Sequence, residues 1–320
     1  MDKSIPWTEK YRPVNIEDIV LYKNVRDQIN IFLENRENVH LIITGSPGIG
    51  KTSTVKCIAR KILKEHMAVG YLELNAAEER GAKTISATIP PFCKKMVNFT
   101  YPKIILLDEA DSMTPKCQHD INFMIKLYGK KTRFIFTCND STKMIQEIQS
   151  ICRIIRYSIL SEEQVCQHLS KICEKEQIPC DMAGLSTIYY ISDGDMRKSI
   201  NDLQKTAYTF GEITKSSVLK ICKFPDPVEI KKIIDLCFEC DLLEANTEMN
   251  EIIKKGYVYL DIITVFINVL SVYDIDEGLK LALIGVINQT KIIVSLGLRS
   301  KLQLSGMLCR LIKQINSGDI

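Results

Sequence analysis

The chain has 320 residues, 46% of them hydrophobic and 25% charged, an ordinary globular balance with room for two or three domains. Its 42 basic and 39 acidic residues leave a net charge of +3, which excludes a polybasic tail protein and confines any nucleic-acid contact to a local patch or an assembly. No apolar run approaches a membrane span, and residues 1–6 hold no signal-peptide core. The 12 cysteines are irregularly spaced, so reduced thiols are expected rather than a disulfide framework.

The segment Pro6-Trp7-Thr8-Glu9-Lys10-Tyr11-Arg12-Pro13 sets the only tryptophan and a Tyr-Arg pair between two prolines. Two readings are open: a stiff, extended segment that lies across another surface, or an ordered N-terminus whose aromatics fill a core edge. The residues alone favour the second. After Ile16-Glu17-Asp18-Ile19-Val20, a helix is predicted over about 24–34, with Val25, Ile29, Phe32 and Leu33 on one face. Residues 39–44 are a short β-branched apolar run, predicted as a buried parallel strand.

That strand runs into Gly45-Ser46-Pro47-Gly48-Ile49-Gly50-Lys51-Thr52-Ser53, which fits G-x-x-x-x-G-K-[ST], the phosphate-binding loop. The residue types answer to the chemistry. Glycines let backbone N–H groups turn inward on an anion. Lys51 carries a mobile positive charge to the β- and γ-phosphates, and the Thr52 hydroxyl can ligate Mg²⁺. A helix predicted over 54–62, with Val55, Ile58, Ala59 and Ile62 at helical spacing, aims its positive end at the same place. An accidental glycine-rich turn is the bland alternative. The strand before and the helix after weigh against it.

A second strand is predicted over 71–75, with a polar turn at 76–81. Ile104-Ile105-Leu106-Leu107 then ends in Asp108-Glu109-Ala110-Asp111. Acids at a strand end are common, but downstream of a phosphate loop they form the second half of a nucleotide site. Asp108 can hold the water shell of Mg²⁺, and Glu109 can polarise a water toward the γ-phosphate. A strand over 133–138 ends at Asn139, whose amide can reach both γ-phosphate and attacking water; opening a turn is its other reading. With a fifth strand over 154–157, strands alternating with helices predict an α/β doubly wound parallel sheet, its ligand at the strands' C-terminal ends.

From Ser161 the pattern is helical throughout. Ser161 and Gln164 make a capping box; Ser192-Asp193-Gly194 ends a second helix, and Asp195 caps a third. Arg197 falls in that helix's first turn, where a cation opposes the helix dipole and hints at an anionic partner, though an ordinary surface arginine is the plainer reading. Phe224-Pro225-Asp226-Pro227 is the clearest linker. Helical spacing follows over 228–242, 252–270 and 278–295, apolar enough to suggest packing against other chains. The Cys237–Cys240 C-x-x-C has no second pair, and His40, His66, His119 and His168 are scattered, so no metal ligands are expected among them.

The order and spacing of these stretches up to about residue 221 resemble the AAA+ sliding-clamp loaders, specifically the small subunits of replication factor C. The resemblance rests on the 6–13 segment, 16–20, 45–53, Leu74-Asn75-Ala76 with Arg80-Gly81, Leu107 through Met113, Thr137-Cys138-Asn139 and Gly194-Asp195-Met196-Arg197. Pro47 to Thr52 and Arg156-Tyr157-Ser158 are most similar to the branch called subunit 2 in animals. The last third fits by length and helical pattern.

The resemblance implies a P-loop AAA+ domain over 1–158, a helical lid over 159–223 and an all-helical collar over 224–320. It implies ATP and Mg²⁺ as cofactors. Thr8, Tyr11, Arg12 and Val20 would line the adenine pocket, 45–53 the phosphates, and Thr52 with Asp108 the metal, largely through water. Lys51, Asp108, Glu109, Asn139 and Arg197 would carry catalysis, the last two as sensors. The partners implied are four other subunits in a hetero-pentamer, a ring-shaped clamp of the proliferating cell nuclear antigen type and primer-template DNA, in the nucleus and with no membrane. Arg80 and Lys83 are the candidate DNA contacts.

Two departures stand out. The family's Ser-Arg-Cys, whose arginine acts on a neighbour's ATP, reads Ser150-Ile151-Cys152, with Arg153 two positions on and on the same strand face if the segment is extended. The family's arginine pair after the acids is Asn122-Phe123 here. A structural subunit with a fixed nucleotide, or another AAA+ machine, are the competing readings.

Overall fold

The computed structural model describes residues 5–34, 39–76, 82–95, 101–222 and 224–317. The chain divides into two compact units, Met1–Thr214 and Lys215–Ile320. The turn expected at 76–81 falls, beyond Ala76, outside the described residues, as does Arg80; the Lys83 side chain is likewise not described.

The first unit is built on a five-stranded sheet of β1 (His40–Thr44), β2 (Tyr71–Asn75), β3 (Lys103–Asp108), β4 (Thr132–Cys138) and β5 (Cys152–Arg156), in the order β2-β3-β4-β1-β5. Every pairing is parallel, as the alternation of strands and helices predicts. Alternate residues feed two cores. Leu41, Ile43, Leu106, Ile135 and Ile155 face α2 (Lys23–Glu34) and α3 (Lys51–Leu63), which follow the single turn α1 (Trp7–Lys10). Ile42, Ile105, Leu107, Phe134 and Phe136 face the opposite layer. After the short α4 (Met67–Gly70), that layer comprises α5 (Ala82–Lys94), α6 (Pro115–Tyr128) and α7 (Gln146–Ile151). The register sets Thr44 beside Cys138 and Asn75 beside Asp108. The C-terminal tips of β1, β3 and β4 therefore open on one edge.

Three further helices complete the unit: α8 (Glu162–Glu176), α9 (Met182–Ser192) and α10 (Met196–Phe210). Ser161 and Gln164 form the expected capping box, and the Asp195 side chain caps α10. The N-terminal segment follows the second of its two readings. Trp7 is 2% exposed, stacks edge-on against Tyr208 and donates its backbone N–H to Gln204 Oε1 at 3.0 Å.

The second unit is helical throughout: α11 (Lys215–Cys222), α12 (Pro227–Phe238), α13 (Leu242–Lys254), α14 (Tyr259–Val272), α15 (Glu277–Ser295) and α16 (Lys301–Ser317). Its core includes Ile230, Ile233, Phe266, Leu283, Ile287 and Leu308. Leu242 opens α13 instead of closing the preceding helix, because Asp241 accepts the Glu244 N–H and starts a new one. Likewise 252–270 holds two helices, separated at Gly256. The reading that no apolar run approaches a membrane span is corrected by α15, whose 19 residues are long and apolar enough by length and composition. It buries Leu283, Ile287, Thr290 and Val294 on one side and leaves Leu281 and Ile292 exposed on another. It packs against α14 and α16, so its apolar character serves a helical bundle with an uncovered face.

Candidate functional site

One cavity of about 560 Å³ lies over the sheet edge in the first unit. It is lined by Thr8, Tyr11, Arg12 and Val20, by Pro47 to Ser53, by Asp108, Glu109 and Asn139, and by Arg197. Sequence reasoning therefore named most of a single surface. Gly45 and Ser46 do not line the cavity, but their carbonyls hold Lys51.

Lys51 opens α3, with Gly50 before it at φ +93, a left-handed conformation that favours glycine. Its ammonium donates to Gly45 O at 2.6 Å, Ser46 O at 2.7 Å and Asn139 Oδ1 at 2.9 Å. Burial holds it below its ordinary pKa. Cys138, Asp108 and Asp111 partly offset that, and the Arg197 charge adds to it. Arg197 is itself exposed, with no carboxylate within ion-pair reach among the described residues. Two cations lining one cavity and mutually unfavourable fit an anion held between them.

Thr52 donates to the Asp108 carboxylate, 3.2 Å from Oδ1 and 3.0 Å from Oδ2. Thr137 donates a second hydroxyl to Oδ1, and the Glu109 N–H lies 3.2 Å from the same oxygen. A hydroxyl on a carboxylate at the loop mouth is the donor set that a hard divalent cation takes with its waters. Glu109 sits at φ +54, uncommon for a side chain with a Cβ, and Ser112 fixes it through two bonds to Glu109 O at 2.7 and 3.0 Å. Asn139 is held by its backbone, its N–H 3.3 Å from Asp111 Oδ2 and its carbonyl accepting from the Thr44 hydroxyl at 3.1 Å.

At the other end of the cavity, Tyr11 and Lys10 both donate to Glu176 on α8. Burial would raise the Glu176 carboxyl, yet these two bonds outweigh it and hold it below the usual range. Arg12 pairs with Glu9 at 3.0 Å.

Several participants escaped sequence reading. Thr137 is a strand residue like many others, and only the register places it beside Asp108. His168 lines the cavity from α8, and burial, with the Lys171 and Lys175 charges adding to it, lowers its pKa from the ordinary histidine value. Lys56 and Glu73 form a 3.0 Å pair on the cavity wall. Among the described residues no group of three His, Cys, Asp or Glu could hold a metal ion.

The two departures are also placed. Ile151 is the last residue of α7 and 38% exposed, whereas Arg153 lies in β5 opposite Leu41. The two do not share an extended segment, so the strand spacing that would align Arg153 with position 151 does not apply. Asn122 is buried on α6, its Oδ1 without a hydrogen-bond partner among the described residues, while Phe123 is 63% exposed.

Residues 41–159 match the family model described as "ATPase family associated with various cellular activities (AAA)", and 225–310 match that of the replication factor C C-terminal domain. A chain of Acanthamoeba polyphaga mimivirus named as a replication factor C small subunit is 65% identical over 319 residues, covering 100% of both chains. Replication factor C subunit 4 of Schizosaccharomyces pombe is 38% identical, covering 97% of this chain and 91% of its own. A subunit 2 of Dictyostelium discoideum is 36% identical, with 97% and 93% covered. The numbered branches are thus about equally near. Among solved structures, the Thermotoga maritima RuvB Holliday junction branch migration motor matches with a TM-score of 0.56 at 15% identity, over 79% of this chain and 90% of that one, a likeness of fold.

Proposed function

The chain belongs to the replication factor C small-subunit family of AAA ATPases, and from that premise we propose how its site works as the ATP-hydrolysing part of a clamp loader. ATP lies along the cavity with its adenine enclosed by Thr8, Tyr11, Arg12 and Val20 and its phosphates on the 45–53 loop. Lys51 turns from the loop's own carbonyls to the β- and γ-phosphates. Mg²⁺, when bound, neutralises charge developing on the transferring phosphoryl group. Thr52 and Asp108 hold its ligand shell, Glu109 polarises the attacking water, and Asn139 and Arg197 sense the γ-phosphate. The observation that supports this most is convergence: Lys51, Thr52, Asp108, Glu109, Asn139 and Arg197 line the same cavity.

In this reading residues 159–223 act as a lid and 224–320 as a collar. The chain assembles with four related subunits, and ATP binding closes the ring around primer-template DNA and opens a ring-shaped clamp of the proliferating cell nuclear antigen type. Hydrolysis releases the clamp onto DNA. The setting proposed is the nucleus. At its donating face the subunit lends no arginine from position 151, since isoleucine cannot stabilise a transferring phosphoryl group.

The experiment is turnover of the assembled complex carrying Glu109→Gln. Retained ATP binding with this subunit's hydrolysis lost supports the reading. Unchanged turnover with clamp and DNA present would return the site to a fixed structural nucleotide.

A further inference from the structure

A Cβ placed on Gly48 would lie 1.8 Å from Asp195 Oδ1 and 2.1 Å from its Cγ, so the carboxylate fills the space that a side chain at 48 would need. On the other side of the same turn, a Cβ on Gly194 would lie 2.4 Å from Ile159 Cγ2. Asp193 and Gly194 are both left-handed, at φ +52 and +76. The turn between α9 and α10 is therefore seated between the phosphate loop and the segment that leads out of the sheet.

The turn is also tied within itself. Asp195 Oδ1 accepts the Lys198 N–H at 2.9 Å. Asp195 O accepts the Ser199 N–H at 2.9 Å and the Ser199 hydroxyl at 2.8 Å. That hydroxyl lies 2.7 Å from Ser192 Oγ, which closes the loop of bonds back onto α9. Arg197 is two residues beyond Asp195, in the first turn of this locked helix. Asp195 does not line the nucleotide cavity, and Arg197 does.

We propose that Asp195 is a positioning residue, whose carboxylate, seated on Gly48, sets the distance between the phosphate loop and Arg197. The inference rests on the reading of Arg197 as the γ-phosphate sensor. Contact with a glycine, and not an ion pair, makes the gauge, so its setting depends on the shape of the side chain rather than its charge. A backbone shift of the loop on filling with phosphate passes through this contact to the helix, and ATP is told from ADP there.

The test is the ratio of ADP to ATP dissociation constants for the full chain with Mg²⁺, in Asp195→Ala, Asp195→Asn, Arg197→Ala and the double Asp195→Ala/Arg197→Ala variant. Arg197→Ala lowers the preference for ATP. Asp195→Ala lowers it by about tenfold, within the range of ordinary site-to-site couplings, and leaves ADP affinity unchanged. Asp195→Asn, alike in shape and also a good helix cap, stays within about twofold of the parent. The double variant matches Arg197→Ala alone. If thermal melting shows that Asp195→Ala folds poorly, Gly194→Ala keeps the cap, displaces the turn from Ile159 and gives the same loss. An Asp195→Ala or Gly194→Ala chain that keeps the parent ratio while Arg197→Ala loses it overturns the proposal and leaves the sensor reading standing. A parent ratio in Arg197→Ala overturns both.

Discussion

Asp108 Oδ2 stands 3.0 Å from the Thr52 hydroxyl, which joins the end of β3 to the first turn of α3 across the mouth of the phosphate loop. The carboxylate is steadied from below by Thr137, 1% exposed, whose hydroxyl donates to Oδ1. Thr137→Val keeps the volume and removes the donor. A hydrogen bond to a charged group contributes about 1.5–3 kcal/mol, so a stability loss of that order is expected. With Asp108 less firmly oriented, half-maximal turnover of the assembled complex needs several-fold more Mg²⁺. A Mg²⁺ titration of ATP hydrolysis, beside a urea melt, measures both.

Glu109 carries backbone strain at the point of chemistry. Its φ of +54 costs a side-chain-bearing residue about 1–2 kcal/mol relative to glycine. Glu109→Gly is therefore expected to raise the unfolding free energy by about 1 kcal/mol while abolishing turnover, a trade of function for stability. Chemical denaturation and single-turnover hydrolysis on the same preparation check the two signs together.

The pH dependence of stability has a named source in His40. Burial, and the Arg133 charge beside it, push this imidazole from its ordinary 6.5 to about 4, and its neutral Nδ1 accepts the Phe134 N–H at 3.1 Å. The folded pKa lies below the unfolded one, so between pH 6.5 and 4 the unfolded chain takes up a proton that the folded chain refuses. Stability from this group is complete above about 6.5 and falls as pH drops through the window. The loss is at most about 3 kcal/mol. His40→Asn, which keeps an acceptor and cannot titrate, is expected to flatten that part of a urea-midpoint profile.

How far the sequence could be read follows the physics of each element. The β1 and β3 runs and the motif between β1 and α3 were legible because buried parallel strands are continuously apolar and a phosphate loop has fixed residue types. The capping residues Ser161 and Asp195 marked their helices by local chemistry, which needs no tertiary partner. Thr137, His168 and the Lys56–Glu73 pair were invisible for the opposite reason, since each matters only through a neighbour supplied by the fold. The Asp241 start of α13 was masked by apolar residues that kept a helical period across the break. Helix α15 was underrated because charged residues at its beginning and near its end interrupt the eye, whereas its middle is apolar on more than one face.

The central claim is that one adenine nucleotide with its magnesium sits between the 45–53 loop and Asp108. Its most direct test is calorimetric titration of the full chain with ATP at millimolar Mg²⁺, beside Lys51→Ala. The account predicts saturable one-to-one binding for the parent chain and its loss in the variant, whose melting otherwise stays cooperative. Equal affinity in the two chains would contradict it.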